Sequence, residues 1–373
     1  MSAAGQHGAG PGEQGFVRAA DGTGLYYHRV GSGRPTVIIP AGLFLERDFA
    51  SLARRHTIVF YDMRGRGRSD PLTDSTRISI ALDVADLETV RRHVKAERFV
   101  AVGWSYLGQV VMRYAAVHPE RVERIVLIGP LARRFRTRYP DSLVAHDSPP
   151  VPDSSRVAVL AAARRAGLAT RDPRRDCEMD YEVNRVKLVG DPRLASRVPD
   201  LCALPNEWSV YNERHVMWLF TAIIRDEAPT WERFAGLATP VLVIHGRQDR
   251  NVPYGAGREW AAHLPDARLL GVPGAAHMPW LDAPETVLPA IRVVLEGCLA
   301  IHRDPDHDSG RCERHDALIR SIDRRVLPSG GCGYRASRSD LGINYQANLI
   351  NGRAQRSLGR RVRRRICSSA TLR

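Results

Sequence analysis

Phe99-Val-Ala-Val-Gly-Trp-Ser-Tyr-Leu-Gly108 runs from an apolar, β-branched stretch through a glycine to a serine, and a helical pattern from Gln109 to Val117 follows at once. A strand, a sharp turn and a helix in that order put Ser105 at the apex of the turn, above the carboxyl edge of a sheet and over a helix N-terminus. A strained turn of this kind needs small residues where its backbone passes close to itself, and Gly103 supplies one. On the other side Leu107 stands where a second glycine is usual, and Gly108 comes one position later. The turn must make room for the leucine.

Working outward, apolar runs of strand length alternate with longer helical patterns, the mark of a mostly parallel sheet covered by helices. The expected strands are Thr36 to Ile39, Thr57 to Tyr61, Phe99 to Val102, Ile125 to Ile128, Val241 to His245 and Arg268 to Val272. Ile80, Val84, Leu87, Val90 and Val94 recur at helical spacing and predict a crossover helix. Val287, Leu288, Ile291, Val294, Leu295 and Cys298 predict a last helix between Pro284 and Ala300. The alternation breaks from Leu131 to about Ala235, where helical and Pro-containing stretches carry no strand pattern. The chain therefore divides into a core at 16–130, a helical insertion at 131–235, the rest of the core at 236–300 and an Arg-rich tail at 301–373. The tail lacks the clustered apolar surface that offsets ordering entropy and is expected to be disordered and dispensable.

Two further loops carry chemistry. After the run Val241 to His245 comes Gly246-Arg-Gln-Asp249-Arg-Asn-Val-Pro253, and after Arg268 to Val272 comes Pro273-Gly-Ala-Ala-His277-Met-Pro279. Both place a side chain at the sheet edge that holds Ser105. A serine hydroxyl is a poor nucleophile at neutral pH; it needs an imidazole to take its proton and a carboxylate to fix the imidazole's tautomer. Ser105, Asp249 and His277 are the expected nucleophile, acid and base. His245 is read as a strand-end packing residue and Asp282 as a supporting or helix-start acid.

With those residues in place, the chain resembles the α/β-hydrolase superfamily over roughly 24–300. Asp62-Met-Arg-Gly-Arg-Gly-Arg-Ser69 and His118-Pro-Glu-Arg-Val122 agree with the resemblance, the first read as an architectural turn. The resemblance implies an α/β-hydrolase fold with the insertion as a helical cap. Members usually show His-Gly after the strand matching Thr36 to Ile39, where this chain has Pro40-Ala-Gly-Leu43. It then places the oxyanion-hole amides at Leu43 and Tyr106. Substrate choice falls to the cap, and Trp104, Glu207, Trp208, Tyr211 and Trp218 are the candidate pocket residues, with Met217 and Phe220 near them. The esterase, lactonase and proline-iminopeptidase group is the most similar, so a small-molecule ester is expected. An N-terminal amide or peptide is the first alternative, with Glu207 and Glu213 as acids for a free amine. A non-catalytic scaffold used as a receptor is the reading from another class.

The chain has 373 residues and a formal charge of +14, of which +9 falls in 301–373, where 16 arginines face 7 acids. The enzyme-like part is only mildly basic, so nucleic acid is not an expected partner. Such an Arg-rich tail is also what a shifted reading frame in GC-rich DNA would produce. Six cysteines occur without CxxC pairs or metal-ligand spacing, and reduced thiols are expected. There is no apolar run of membrane-spanning length and no secretory leader pattern, which suggests a cytoplasmic protein. No phosphate-cradling motif is present, and neither a cofactor nor a metal is expected.

Overall fold

The computed structural model describes residues 12–134, 137–144, 153–208 and 229–298. Strands β1 (Glu13–Arg18), β2 (Gly24–Val30), β3 (Thr36–Pro40), β4 (Thr57–Tyr61), β5 (Phe99–Trp104), β6 (Val122–Ile128), β7 (Val241–Gly246) and β8 (Ala267–Val272) form one eight-stranded sheet in the order β1-β2-β4-β3-β5-β6-β7-β8. β2 pairs antiparallel with both β1 and β4. From β4 to β8 every pairing is parallel.

Strands β4, β5 and β7 are buried along their whole length, which is why they read as continuous apolar runs and not as alternating ones. The pleat still divides them. Val100, Val102 and Trp104 of β5 point into one core layer, Phe99 and Ala101 into the other. Helices α1 (Gly42–Phe49) and α8 (Pro284–Leu295) close the first layer with Leu45, Phe49, Val287, Ile291 and Val294. On the opposite face α2 (Ile80–His93), α3 (Tyr106–Val117) and α7 (Tyr254–His263) bring Leu87, Val90, Val111, Met112 and Trp260. The expected crossover helix is α2, capped by Ser79, whose hydroxyl accepts from the Leu82 amide at 3.1 Å.

The hairpin of β1 and β2 has no counterpart in the sequence expectation. β1 is mostly exposed and its residues, Glu-Gln-Gly-Phe-Val-Arg, carry little apolar alternation; pairing to the edge of β4 through β2 makes it a strand.

Between β6 and β7 the described residues contain no strand. They form α4 (Ser154–Arg165), α5 (Leu168–Arg171), α6 (Pro173–Asn184) and a series of short 3-10 turns. Arg164 ties α4 to α6, with contacts of 2.7 and 2.9 Å to Asp176 and 3.1 Å to Asp180. Cys177 of α6 forms a disulfide with Cys202, 25 residues on. This corrects the expectation of reduced thiols: the fold brings together two cysteines whose spacing matches no motif. The tail at 301–373 lies outside the described residues. No helix among those described is long and apolar enough to cross a membrane.

Candidate active site

The turn between β5 and α3 holds Ser105 at φ 54°, ψ −123°, a strained conformation for a residue with a side chain. A Cβ on Gly103 would come within 2.7 Å of the Leu107 carbonyl and 2.9 Å of Gly108 Cα, so the turn closes only around a glycine. Leu107 is accommodated by pointing away, buried against Val110 and Leu131. The small residue needed next to Gly103 is Gly108.

Two loops converge behind this turn. The Ser105 amide donates to Ile128 O at 2.9 Å, and the next residue, Gly129, donates to Ile244 O at 2.8 Å. A Cβ on Gly129 would stand 3.2 Å from His277 Nδ1 and 3.3 Å from Asp249 Oδ2. His277 Nδ1 donates to Asp249 Oδ2 at 2.7 Å, with both residues buried. That bond leaves Nε2 as the ring's bare nitrogen. Asp249 Oδ1 accepts from the Asn251 and Val252 amides at 2.9 and 2.8 Å. Burial alone would raise the Asp249 carboxyl, but the facing His277 and hydrogen bonds from His245 and His277 overcome it and hold it well below the ordinary carboxylate range. The Ser105 hydroxyl makes no hydrogen bond to His277 among the described residues; in resting sites this contact is often long and closes on substrate.

The His277 loop is braced from two sides. Trp104 donates its indole N–H to His277 O at 2.9 Å, and its ring lies 5.1 Å from the imidazole and 5.5 Å from Trp280. Trp104 is thus a buried support and offers little surface to a substrate, against the expectation of a pocket wall. Asp282 accepts from the Ala276 amide at 2.9 Å and from the Gly190 amide at 2.9 Å, which pins the insertion to the His277 loop.

One sequence assignment is corrected. The Leu43 amide donates to Asp62 Oδ1 at 2.8 Å and is spent. Asp62 is held there by Arg68, whose Nε lies 2.7 Å from Oδ2. Ala41, at φ 67°, turns the chain from β3 into α1. The amides of Gly42 and Tyr106, each the first of its helix, have no acceptor among the described residues.

Glu207 is also placed differently from an amine-binding acid. Arg66 Nε and Nη2 donate to its carboxylate at 2.9 and 2.6 Å, and the Gly67 amide at 2.8 Å. Asn206 donates to Ser69 O at 2.7 Å beside it. The pair therefore latches the insertion onto the 62–69 loop. Arg64 of that loop is buried between Asp86, at 2.7 and 2.8 Å, and Asp21, at 2.9 Å. Sequence reasoning also passed over Asp83. This buried acid of α2 accepts from the Tyr106 hydroxyl at 2.6 Å, and burial, with Asp86 nearby, pushes it up to about 7 against that bond and the charges of Arg64 and Arg66. The side chain of Trp208, and Tyr211, Glu213, Met217, Trp218 and Phe220, lie outside the described residues. No cluster of His, Cys, Asp and Glu among those described could hold a metal ion.

The family described as alpha/beta hydrolase fold matches residues 35–284. Among relatives, a proline iminopeptidase of Xylella fastidiosa is 26% identical over 301 residues, covering 72% of this chain and 91% of that protein. A pimeloyl-[acyl-carrier protein] methyl ester esterase of Nitrosomonas europaea is 28% identical over 254 residues, 63% of this chain and 83% of that one. The esterase RhEst1 from Rhodococcus sp. ECU1013 superposes with a TM-score of 0.57 at 23% identity, covering 77% of this chain and 99% of its own, a likeness of fold.

Proposed function

The chain belongs to the alpha/beta hydrolase fold family and is a hydrolase, and from that premise we propose that it cleaves a small-molecule ester through Ser105, His277 and Asp249. The observation that carries this reading is the buried His277–Asp249 pair, 2.7 Å apart, set behind a strained turn whose apex is the only hydroxyl of the Gly103–Gly108 segment other than Tyr106.

In this mechanism Ser105 Oγ attacks the substrate carbonyl and its proton passes to His277 Nε2. The Asp249 carboxylate fixes the Nδ1–H tautomer and stabilises the imidazolium that forms. The oxyanion rests on the amides of Tyr106 and Gly42, which takes the role first given to Leu43. His277 then protonates the leaving alkoxide and an acyl-enzyme remains. Water, deprotonated by the same nitrogen, releases the acid. Leu43, Phe44, Tyr106 and Tyr139, half-buried around one apolar cluster beside the turn, suit an apolar acyl group. The insertion acts as the cap.

The peptidase alternative draws on the Xylella fastidiosa relative. A buried ammonium needs a carboxylate of its own, and Glu207 is already engaged by Arg66 and the Gly67 amide. Esters therefore remain the favoured class. A fluorophosphonate probe and a panel of p-nitrophenyl esters and aminoacyl anilides test the reading. Ser105→Ala is expected to lose both labelling and turnover, and Asp249→Asn to lose about 10⁴-fold in kcat because the amide favours the wrong tautomer. Labelling of Ser105→Ala at an unchanged rate would refute the assignment.

A further inference from the structure

We propose that His245 is a positioning residue for Asp249, donating an Nε2–H bond to the carboxylate oxygen that also receives His277. The proposal rests on the triad reading above and extends it by one residue.

His245 is the last residue but one of strand β7 and is fully buried. Its Nε2 lies 3.0 Å from Val252 O and 3.3 Å from Asp249 Oδ2. Both neighbours are acceptors, so Nε2 carries the ring proton and shares it between them. Val252 in turn donates its amide to Asp249 Oδ1 at 2.8 Å. The three residues thus close a circuit: Val252 N–H to one carboxylate oxygen, His245 to the other, and His245 back to the Val252 carbonyl. The circuit holds the plane of the carboxylate independently of the bond from His277.

The ring that does this has no freedom. A Cβ on Gly257 of α7 would come within 2.5 Å of His245 Nδ1, and the Tyr254 ring packs edge-on at 5.8 Å. Nδ1 has no hydrogen-bond partner among the described residues, so the ring is anchored through Nε2 alone. A packing residue would be served better by an apolar side chain of the same volume, because a buried polar atom without a partner costs free energy. The imidazole is retained where its one satisfied nitrogen meets Asp249.

Two donors on one oxygen also compete. His277, at 2.7 Å, holds the shorter bond and His245, at 3.3 Å, the longer. Withdrawing the second donor frees the oxygen to bond more strongly to His277 while loosening the carboxylate's orientation.

The test uses the full chain with a turned-over p-nitrophenyl ester. Glutamine places an amide nitrogen where Nε2 sits, asparagine places one where Nδ1 sits, and leucine offers neither. His245→Asn and His245→Leu are expected to lower kcat roughly tenfold, the equivalent of one hydrogen bond to a charged group, with KM little changed. His245→Gln should recover most of that loss. The low-field proton resonance of His277 Nδ1–H should move further downfield in the Asn and Leu variants and stay near its original position in the Gln variant. Equal kcat in the Gln and Asn variants, a loss confined to KM, or an unmoved resonance would overturn the proposal. Should the Leu variant fail to fold, the Gln and Asn pair decides. Failure of the triad reading is separately visible, as turnover that survives Ser105→Ala.

Discussion

Replacing Glu207 by glutamine asks whether the insertion's carboxylate serves the fold or the substrate. Its side chain is 3% exposed and that of Arg66 16%. The amide keeps the shape but turns one acceptor into a donor facing Arg66 or the Gly67 N–H. Removing one partner of a buried ion pair costs about 3–5 kcal/mol. Arg66 also feels Asp62 and Asp83 and is partly wetted, so part of its charge stays compensated. We expect a loss of roughly 2–3 kcal/mol in urea unfolding monitored by tryptophan fluorescence. Arg66→Met alone should cost a similar amount, and the double variant should cost clearly less than the sum, with a coupling of about 2 kcal/mol. The KM for esters should rise as the insertion loosens from the 62–69 loop. An unchanged stability within about 0.5 kcal/mol and strict additivity would refute the latch. Loss of a preference for free-amine anilides in a Glu207→Gln variant of normal stability would instead make the residue an amine ligand.

Asp83 gives a prediction in pH. Because burial raises it to about 7 in the folded chain, the folded state binds more protons than the unfolded one between its ordinary value of 3.8 and about 7, and stability falls as pH rises across that window. Asp83→Asn, which still accepts from the Tyr106 hydroxyl, should be more stable than the parent by roughly 2–4 kcal/mol at pH 8, with the gap closing toward pH 4; a gap independent of pH in urea titrations would contradict this. The Cys177–Cys202 bond closes a loop of 25 residues, and its reduction, or the Cys177→Ser/Cys202→Ser pair, should cost about 3 kcal/mol and expose the 177–202 segment to limited proteolysis. Equal melting curves with and without dithiothreitol would show that the bond contributes nothing.

The sheet was largely legible because its strands are buried on both faces and its helices on one, so each leaves a local periodicity. Phe99 to Val102, Val241 to His245 and Ile80 to Val94 could be read without neighbours. β1 could not: it is a strand because β2 is beside it, and a half-exposed edge has little pattern of its own. The partners of Glu207 and Cys202 were equally hidden, since they lie in other segments.

The sequence by itself determined the order strand, Ser105, helix, and placed Asp249 and His277 after later strands, because glycines, apolar runs and chain order are local properties. Only the tertiary structure decided how the polar groups around them are used. The Leu43 amide goes to Asp62, 19 residues away, which leaves the Gly42 amide unspent. Glu207 goes to Arg66, 141 residues back. His245 turns from a packing residue into a donor because the 249–252 loop folds back over its ring. Each outcome depends on which donors and acceptors meet once loops from distant segments are packed, and a buried polar group takes whatever partner that packing brings within about 3 Å. Local spacing carries no record of that meeting.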